Sequence, residues 1–303
     1  MGVAFPYQRT YGLDMTVLEL LNWSTHCLEK NQIENSRLNA ELLLARSLDL
    51  SREGLYMNLR GPLQKGDKEA FERLIQRRIS GEPLQYILEH QEFWSIDLKV
   101  DPRVLIPRPE TELLVEQSLR ILSESPFKRK PFILEIGTGS GAIAIAMAKE
   151  RKNVFLVATD LSREAILLAK ENARSAGVQS QIEFVSGDLF EPFCVSKKQG
   201  LFDLILSNPP YLHRHEIQTL AKEVKDYEPM IALDGGEDGL EFYRRIISRV
   251  PFYLRPGGWL LLEVGQGQNP RVTELMEETG YFFHPESVPD LAGIERVVKA
   301  QKK

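Results

Sequence analysis

The fold is indicated by one run of residues: Phe132-Ile133-Leu134-Glu135-Ile136-Gly137-Thr138-Gly139-Ser140-Gly141. Its apolar first half predicts a buried strand, and the Ala-rich segment 142–148 that follows the glycines predicts a helix. Glycine tolerates positive φ and lets a ligand approach the backbone, and a helix N-terminus offers N–H groups without intrahelical partners. The run therefore predicts a strand–turn–helix unit of an α/β sheet, with a ligand site at the turn.

A second apolar segment ends in Asp160, an acid that could accept hydrogen bonds from both ribose hydroxyls of a nucleoside. Gly137, Gly139 and Ala142 also satisfy the G-x-G-x-x-[GA] spacing of dinucleotide-binding turns. The turn and the acid predict a nucleoside-containing cofactor and leave NAD and S-adenosyl-L-methionine open. Glu135 favours the second, because a buried carboxylate is costly and suits a sulfonium and an ammonium better than a pyrophosphate.

A third apolar segment, 182–185, leads towards Asp188 and Leu189. An acid and an apolar side chain at this point could hold the amino group and the ring of adenine. The alternative is that Asp188 only caps a turn, since Gly187-Asp188 is a favourable turn pair.

The strand predicted at 202–207 ends in Asn208-Pro209-Pro210-Tyr211. Ligands of open α/β sheets bind at the carboxyl ends of the strands. Asn supplies a carbonyl acceptor and an NH2 donor, each proline fixes φ and lacks an N–H, and Tyr adds a flat apolar face. Such a pocket would hold a planar NH2 group for methylation, whereas the alternative is a plain turn.

Composition and charge narrow the classes of protein. Of the 303 residues 43% are hydrophobic and 27% charged, which is ordinary for a globular protein with ample core, and a net charge of −5 provides no drive towards nucleic acid or an anionic membrane. Neither a membrane span nor a signal peptide is predicted, and Cys27 and Cys194 are expected to be reduced. A cytoplasmic protein without a metal is expected, with His213 and His215 as exposed loop histidines.

The hydrophobic pattern divides the chain into segments. Residues 1–14 are interpreted as a disordered leader, 15–80 as a small helical bundle with N-caps at Thr16 and Ser36, and 81–105 as a linker with a β-hairpin. Residues 106–303 alternate strands and helices, which predicts a mainly parallel sheet covered on both faces. The late strands are predicted at 258–264 and 294–300.

Several motifs together resemble one family, the protein-(glutamine-N5) methyltransferases that modify bacterial class I peptide-chain release factors. The resemblance extends from about residue 15 to the C-terminus, and Glu89 stands where the family usually has glycine. The motifs, in chain order, are Gly81–Tyr86, Val104–Glu112, Glu135–Gly141, Asn208–Tyr211, Glu228-Pro229, Ala232–Gly236, Asp238–Leu240, and Glu263–Gly265 with Gln268.

The resemblance implies a seven-stranded, Rossmann-like class I methyltransferase sheet with an N-terminal helical domain that recognises the substrate. It implies transfer of a methyl group from S-adenosyl-L-methionine to the glutamine of a Gly-Gly-Gln motif, with a release factor as the protein partner. A monomer is expected, although the sequence leaves the oligomeric state open. Cofactor contacts are expected at Gly137, Thr138, Gly139, Ser140, Gly141, Asp160, Asp188, Leu189 and Asn208. Substrate and catalytic contacts are expected at Asn208, Pro209, Pro210 and Tyr211.

Three other functions are compatible with parts of the sequence. The first is a DNA adenine-N6 methyltransferase, because the exocyclic amine of adenine is a planar NH2 group of the same kind. The acidic net charge and the lack of a basic segment oppose this function. A nicotinamide-dependent oxidoreductase rests on the glycine spacing alone. A cofactor-binding module without catalysis would leave the Asn208–Tyr211 motif without a purpose.

Overall fold

The computed structural model describes residues 15–64, 66–124, 129–194 and 200–303, and the leader predicted at 1–14 lies outside them. The chain forms two compact units, of which the first ends at Leu88 and the second begins at Glu89. No helix within the described ranges is long and apolar enough to cross a membrane.

The first unit is helical. Its helices are α1 Val17–Lys30, α2 Ser36–Ser47, α3 Arg52–Met57, α4 Asp67–Ile79 and α5 Leu84–Leu88. They enclose one apolar core, to which α1 and α2 contribute most of the buried leucines. The predicted helical bundle is therefore present, and α5 adds a short helix inside the segment predicted as a linker.

The two predicted N-caps of this unit have different outcomes. Thr16 caps α1 in a capping box, in which its hydroxyl accepts from the Glu19 amide and the Glu19 carboxylate accepts from the Thr16 amide. The prediction of Ser36 as the N-cap of α2 is wrong, because Asn35 occupies the N-cap position, in the left-handed region at a φ of 50°. The Ser36 hydroxyl instead donates to the carbonyl of Ile33. Asparagine tolerates this backbone conformation better than most residues do.

A β-hairpin opens the second unit, as predicted, with strands β1 His90–Phe93 and β2 Ile96–Lys99 in antiparallel register. Trp94 and Ser95 join them, each with a φ of 54°. Two adjacent residues with positive φ form the type of two-residue turn whose twist matches that of the strands. Glu89, just before β1, also has a positive φ, of 65°. This is the conformation that a glycine adopts most easily.

The rest of the second unit alternates strands and helices. Its strands are β3 Phe132–Ile136, β4 Phe155–Asp160, β5 Ile182–Ser186, β6 Phe202–Ser207, β7 Leu254–Glu263, β8 Glu286–Pro289 and β9 Glu295–Gln301. Its helices are α6 Glu112–Glu124, α7 Ala142–Glu150, α8 Arg163–Ser175, α9 Lys222–Lys225, α10 Glu241–Tyr253 and α11 Asn269–Glu278. In the described part of this unit, 3-10 turns occur at Pro109–Thr111, Ile217–Thr219 and Met230–Ala232.

Seven of these strands form one sheet in the order β5-β4-β3-β6-β7-β9-β8. The five strands from β5 to β7 are parallel, and β9 pairs antiparallel with both β7 and β8. The seven-stranded mixed sheet expected from the resemblance is confirmed. The sequence pattern alone did not predict β8, because its four residues are too few and too exposed to alternate clearly.

The sheet has an apolar core on each face. On one side α6, α7 and α8 pack against Leu204 and Leu206, and on the other α10 and α11 pack against Ile205. Strand residues alternate between the two faces, so burial on both sides requires the nearly continuous apolar runs seen in β3 and β6. With both faces covered, the carboxyl ends of the strands are left as the open edge of the domain.

Candidate active site

A cavity that is open to solvent lies at the carboxyl ends of β3, β4 and β6. The residues that line it are Arg103–Leu105, Pro107-Arg108, Thr111, Ile136–Ser140, Ala142-Ile143, Thr159–Ser162, Ala165, Gly187–Leu189, Ser207–Pro210, Pro229, Ile231-Ala232, Phe242 and Ile246. The glycine turn, Asp160 and the Asn208 loop, which were expected to act together, are thus brought to one cavity.

The three glycines of the turn have different roles. Gly137 and Gly139 line the cavity with φ values of 74° and 53°, and a Cβ at Gly139 would meet no atom within 4 Å. Gly141 is not among the lining residues within the described ranges. Its φ is 83°, and a Cβ there would lie 3.1 Å from the Cβ of Ala169 on α8. Gly141 therefore permits the close approach of α7 and α8, a packing role for a residue predicted to contact the cofactor.

Asp160 lines the cavity and also fastens the loops on either side of it. Its Oδ2 accepts from the Gly139 amide at 2.8 Å, and its Oδ1 accepts from the Ser162 amide at 2.8 Å. Burial raises the pKa of this carboxyl, and the two backbone donors oppose the shift. Each carboxylate oxygen has a second lone pair, so Asp160 can still accept hydrogen bonds from a ligand.

Glu135 is fully buried and is not among the residues that line the cavity in the described chain. Its Oε2 accepts from the Thr138 hydroxyl at 2.8 Å and from the Ala144 amide at 3.1 Å. Burial raises the pKa of its carboxyl to about 8. Glu135 thus ties the glycine turn to the first turn of α7, and it lies buried beside the cavity and not in its wall.

Asp188 and Leu189 both line the cavity, where they were expected to meet adenine. The Asp188 carboxylate already pairs with Arg245 of α10, so this acid is held in place by a side chain that the sequence reasoning missed. Leu189 has a φ of 49°, a left-handed conformation that turns the chain beneath the cavity. Its side chain packs against the core on the α10 face of the sheet.

Asn208, Pro209 and Pro210 form another part of the wall. The Asn208 backbone carbonyl is 3.9 Å from where a Cβ of Gly137 would be, so the proline loop and the glycine turn are neighbours. The Asn208 Nδ2 donates to Thr111 Oγ1 at 3.1 Å. Because the amide nitrogen is engaged there, the Oδ1 of Asn208 remains as the acceptor of this side chain.

Tyr211 is not among the cavity-lining residues of the described chain, unlike the rest of its motif. Its ring packs on Gly265, where a Cβ would lie 3.0 Å from Cδ2, and burial raises the pKa of its hydroxyl to about 12. Its carbonyl accepts from Gln268 Nε2 at 2.9 Å, and a Cβ at Gly235 would come within 2.8 Å of its backbone. Tyr211 is therefore held from three sides and anchors the loop.

The motif around Arg108 has a structural partner that sequence reasoning did not identify. Arg108 lines the cavity, and its Nη2 donates to Oε1 of the buried Glu228 at 2.5 Å. The Ile106 amide lies 3.4 Å from the other oxygen of the same carboxylate. Burial raises the pKa of Glu228, and the Arg108 charge opposes the shift. The ion pair joins the segment before α6 to the loop that carries Pro229, so two distant motifs build one wall.

His213 and His215 follow the proline loop, and Glu216 lies beside them. One ligand atom from each of the three lies within 4.8 Å of the others, and His215 and Glu216 are exposed. Imidazole and carboxylate are zinc-ligand types, but exposed groups of this kind are common without a metal. The sequence missed Glu216 as a neighbour, and the absence of a metal stays a prediction.

Comparison with known proteins assigns both units. Residues 19–88 match the family described as the PrmC N-terminal domain, and residues 111–226 match the methyltransferase small domain. A release factor glutamine methyltransferase of Geobacter sulfurreducens is 44% identical over 93% of this chain and 95% of its own length. One from Bacillus cereus is 36% identical over 95% of this chain and 99% of its own.

Among solved structures, the hMettl16 catalytic domain in complex with MAT2A 3'UTR hairpin 6 is similar with a TM-score of 0.53. It is 15% identical and covers 75% of this chain and 81% of that one, so the likeness concerns the fold alone. The seven-stranded sheet and the cavity at its strand ends define a class I methyltransferase. The relatives that match nearly the whole chain identify the family within this class. The chain belongs to the release factor glutamine methyltransferases.

Proposed function

We propose that this protein transfers a methyl group from S-adenosyl-L-methionine to the side-chain amide nitrogen of the glutamine in the Gly-Gly-Gln motif of class I release factors. The observation that carries the proposal is that Asn208, Pro209 and Pro210 line the same cavity as the glycine turn and Asp160. An acceptor for a planar NH2 group thus stands beside a nucleoside site. The relatives that share nearly the whole chain are release factor glutamine methyltransferases, which supports the substrate.

The residues present fit this cofactor. The space left by Gly139 lets a ligand approach the turn closely, and Asp160 keeps acceptor capacity for the two ribose hydroxyls. Leu189, Phe242 and Ile246 offer apolar surface to an adenine ring. When bound, S-adenosyl-L-methionine supplies an electrophilic methyl group attached to a sulfonium, which is a good leaving group.

The protein's own part in the reaction is to position a poor nucleophile. The nitrogen of a glutamine amide delocalises its lone pair into the carbonyl. The Asn208 Oδ1 and the Pro209 carbonyl can each accept one N–H of that amide, because no N–H is present at Pro209 or Pro210 to compete for them. Holding the nitrogen in this way favours its pyramidalisation towards the methyl group. Positioning of this kind contributes at most roughly 7–11 kcal/mol to lowering the barrier.

We also propose that the first unit, with residues 15–80 as its helical part, binds the body of the release factor. All residues that line the cavity belong to the second unit in the described chain, so the first has no share in its walls. Met57 and Tyr56 are exposed on α3, with Met57 at 86% relative accessibility, and methionine and tyrosine are common at protein interfaces. A monomeric state, a cytoplasmic location and the lack of direct nucleic-acid binding stay predictions.

One assay tests the function against its alternatives. The purified protein is incubated with methyl-labelled S-adenosyl-L-methionine and either a release factor, the same factor with its Gly-Gly-Gln glutamine changed to asparagine, or duplex DNA. We expect label only on the unaltered factor, at the glutamine located by peptide mass spectrometry. Label on DNA adenine, or label on both factors alike, would contradict the proposal. A nicotinamide oxidoreductase would label none of the three.

A further inference from the structure

Two buried polar residues from different parts of the chain lie beside Asn208, and one of them, Thr111, also lines the cavity. Thr111 ends the 3-10 turn before α6, and Glu263 ends β7. Their exposures are 5% and 2%. The Asn208 Nδ2 donates to Thr111 Oγ1 at 3.1 Å, and the side chains of Thr111 and Asn208 both face the Glu263 carboxyl. The Oε2 of Glu263 is buried without a hydrogen-bond partner among the described residues.

The Asn208–Thr111 hydrogen bond and the nearby Glu263 carboxyl together favour one direction of hydrogen bonding. A threonine hydroxyl has one proton to donate, and an ionised carboxylate can only accept. The Glu263 carboxylate beside Thr111 favours the arrangement in which the Thr111 proton faces it, which leaves Thr111 Oγ1 to accept from Asn208 Nδ2. The NH2 end of the Asn208 amide must then face Thr111.

The two ends of an asparagine amide have nearly the same shape, so packing alone does not select between them. If the amide were reversed, its NH2 group would meet the NH2 group of the substrate, donor against donor. With the NH2 end on Thr111, the carbonyl end is the one available to accept. The identity of the group offered to the substrate thus depends on Thr111 and Glu263 as well as on Asn208 itself.

We propose that Thr111 and Glu263 are positioning residues, which hold the Asn208 amide in the single orientation that accepts an N–H of the substrate glutamine. The inference rests on the proposed function, and it assigns a role to two motifs that the cofactor and substrate contacts leave without one. A buried acceptor without a partner among the described residues, such as Glu263 Oε2, costs stability. A catalytic requirement accounts for keeping it.

Protonation of Glu263 can release the Asn208 amide from this orientation. Burial raises the pKa of Glu263 to about 7, helped by the neighbouring Glu110 and opposed by Thr111 and by Arg296 of β9. The other ionisable neighbours are the buried hydroxyls of Tyr211 and Tyr243. A protonated Glu263 can donate to Thr111, whose own proton can then go to Asn208 Oδ1. The orientation of the Asn208 amide is therefore expected to be kept at a pH above the pKa of Glu263 and lost at a pH below it.

Substitutions at Thr111 test the role in the full-length enzyme. Thr111→Val removes the hydroxyl at nearly constant shape, and Thr111→Ser restores it. We expect Thr111→Val to lower kcat on a release factor by about tenfold to a hundredfold, with cofactor affinity and KM little changed, and Thr111→Ser to recover most of the loss. Thr219→Val, at the exposed end of the 3-10 turn Ile217–Thr219, is the matched control and should keep normal turnover. Normal kcat in Thr111→Val would overturn the proposal.

The pH profile adds a readout that a merely structural role would not change. In the wild type, kcat should fall as the pH drops through about 7, the pKa of Glu263, and Glu263→Gln should lack this acid limb because its side chain cannot titrate. The same acid limb in both proteins would contradict the assignment.

A measurement without turnover separates this inference from the proposed function. In the wild-type protein the side-chain 15N–1H pair of Asn208, assigned by its loss in Asn208→Ala, should exchange slowly with water and shift as Glu263 titrates. Rapid exchange with no shift would overturn the orientation. If the wild type does not methylate release factors, the proposed function fails, while this spectrum still decides whether the amide is held.

Discussion

The amide of Gly139 donates a hydrogen bond of 2.8 Å to Oδ2 of Asp160, so the acid that ends β4 braces the turn that follows β3. The same carboxylate accepts from Ser162 just before α8 begins. One side chain therefore links the two loops that line the cavity, and its remaining lone pairs can accept from the ribose hydroxyls of the proposed cofactor. We therefore propose that Asp160 both joins the two loops and binds the cofactor.

Replacing Asp160 should weaken cofactor binding. We expect Asp160→Ala to cost about 1.5–3 kcal/mol of binding free energy for S-adenosyl-L-methionine, the range for hydrogen bonds to a charged group. Titration calorimetry measures this directly. Asp160→Asn keeps one acceptor and should have an intermediate effect. Unchanged affinity in Asp160→Ala would remove this residue from the site.

Replacing Asn208 should affect chemistry more than binding. Asn208→Ala removes the acceptor for the substrate amide, and we expect kcat on a release factor to fall by about two orders of magnitude or more, with a smaller change in cofactor affinity. Single-turnover methyl transfer with saturating cofactor separates the two effects. Near-normal turnover in this variant would rule out the orienting role of Asn208.

The buried Glu135 should make stability depend on pH. Its pKa is raised from 4.5 to about 8, so between these values the folded state binds more protons than the unfolded state. Stability contributed by this group is therefore present at low pH and decreases as the pH rises through that window. Relative to wild type, Glu135→Gln should gain roughly 1–3 kcal/mol in unfolding free energy between pH 5 and pH 8.

Urea unfolding at the two pH values measures that gain. The exposed Glu183→Gln on β5 is the control for the loss of a carboxylate at the surface. Parallel pH dependence in Glu135→Gln and the wild type would show that Glu135 does not change its proton binding on unfolding.

The left-handed backbone at Glu89 predicts a stabilising substitution. An L residue in this region costs roughly 1–2 kcal/mol, and Glu89 has a φ of 65° where glycine would be unstrained. We expect Glu89→Gly to raise the free energy of unfolding by about 1 kcal/mol, after the extra chain entropy of glycine is subtracted. Glu92→Gly, in the extended backbone of β1, should have the opposite sign. Thermal and urea unfolding compare the two, and a loss of stability in Glu89→Gly would contradict the prediction.

If the first unit binds the release factor, removing it should weaken substrate binding and leave cofactor binding unchanged. A chain beginning at Glu89 should bind S-adenosyl-L-methionine normally, because every residue that lines the cavity in the described chain is kept. Its KM for an intact release factor should rise by about tenfold or more, because remote binding energy is lost. A short Gly-Gly-Gln peptide should be an equally poor substrate for both forms. Circular dichroism must first show that the shortened chain is folded, and unchanged efficiency on the intact factor would assign the helices another role.

Much of the architecture could be predicted from local pattern. Apolar runs followed by glycine, Asp160 or Asn208 identify strands and the loops at their carboxyl ends, because a parallel sheet buried on both faces needs continuous apolar strands. The features that were not predicted correctly were also local ones. Asn35, and not Ser36, is the N-cap of α2, because the chain adopts a left-handed backbone conformation at Asn35. Strand β8 is short and exposed, so its apolar and polar residues do not alternate. Loop conformation and edge pairing depend on neighbours that a local pattern does not contain.

The sequence by itself determined the class of sheet, the order of its motifs and the residue types offered to a ligand, because strand periodicity and turn chemistry are local properties. Only the tertiary structure decided which member of each motif faces the cavity: Gly139 does, whereas Gly141 and Tyr211 serve packing. It alone brought Thr111 to Asn208 across 97 positions of chain. The physical reason is that hydrogen-bond direction and burial depend on residues distant in sequence, which meet only when the sheet is assembled.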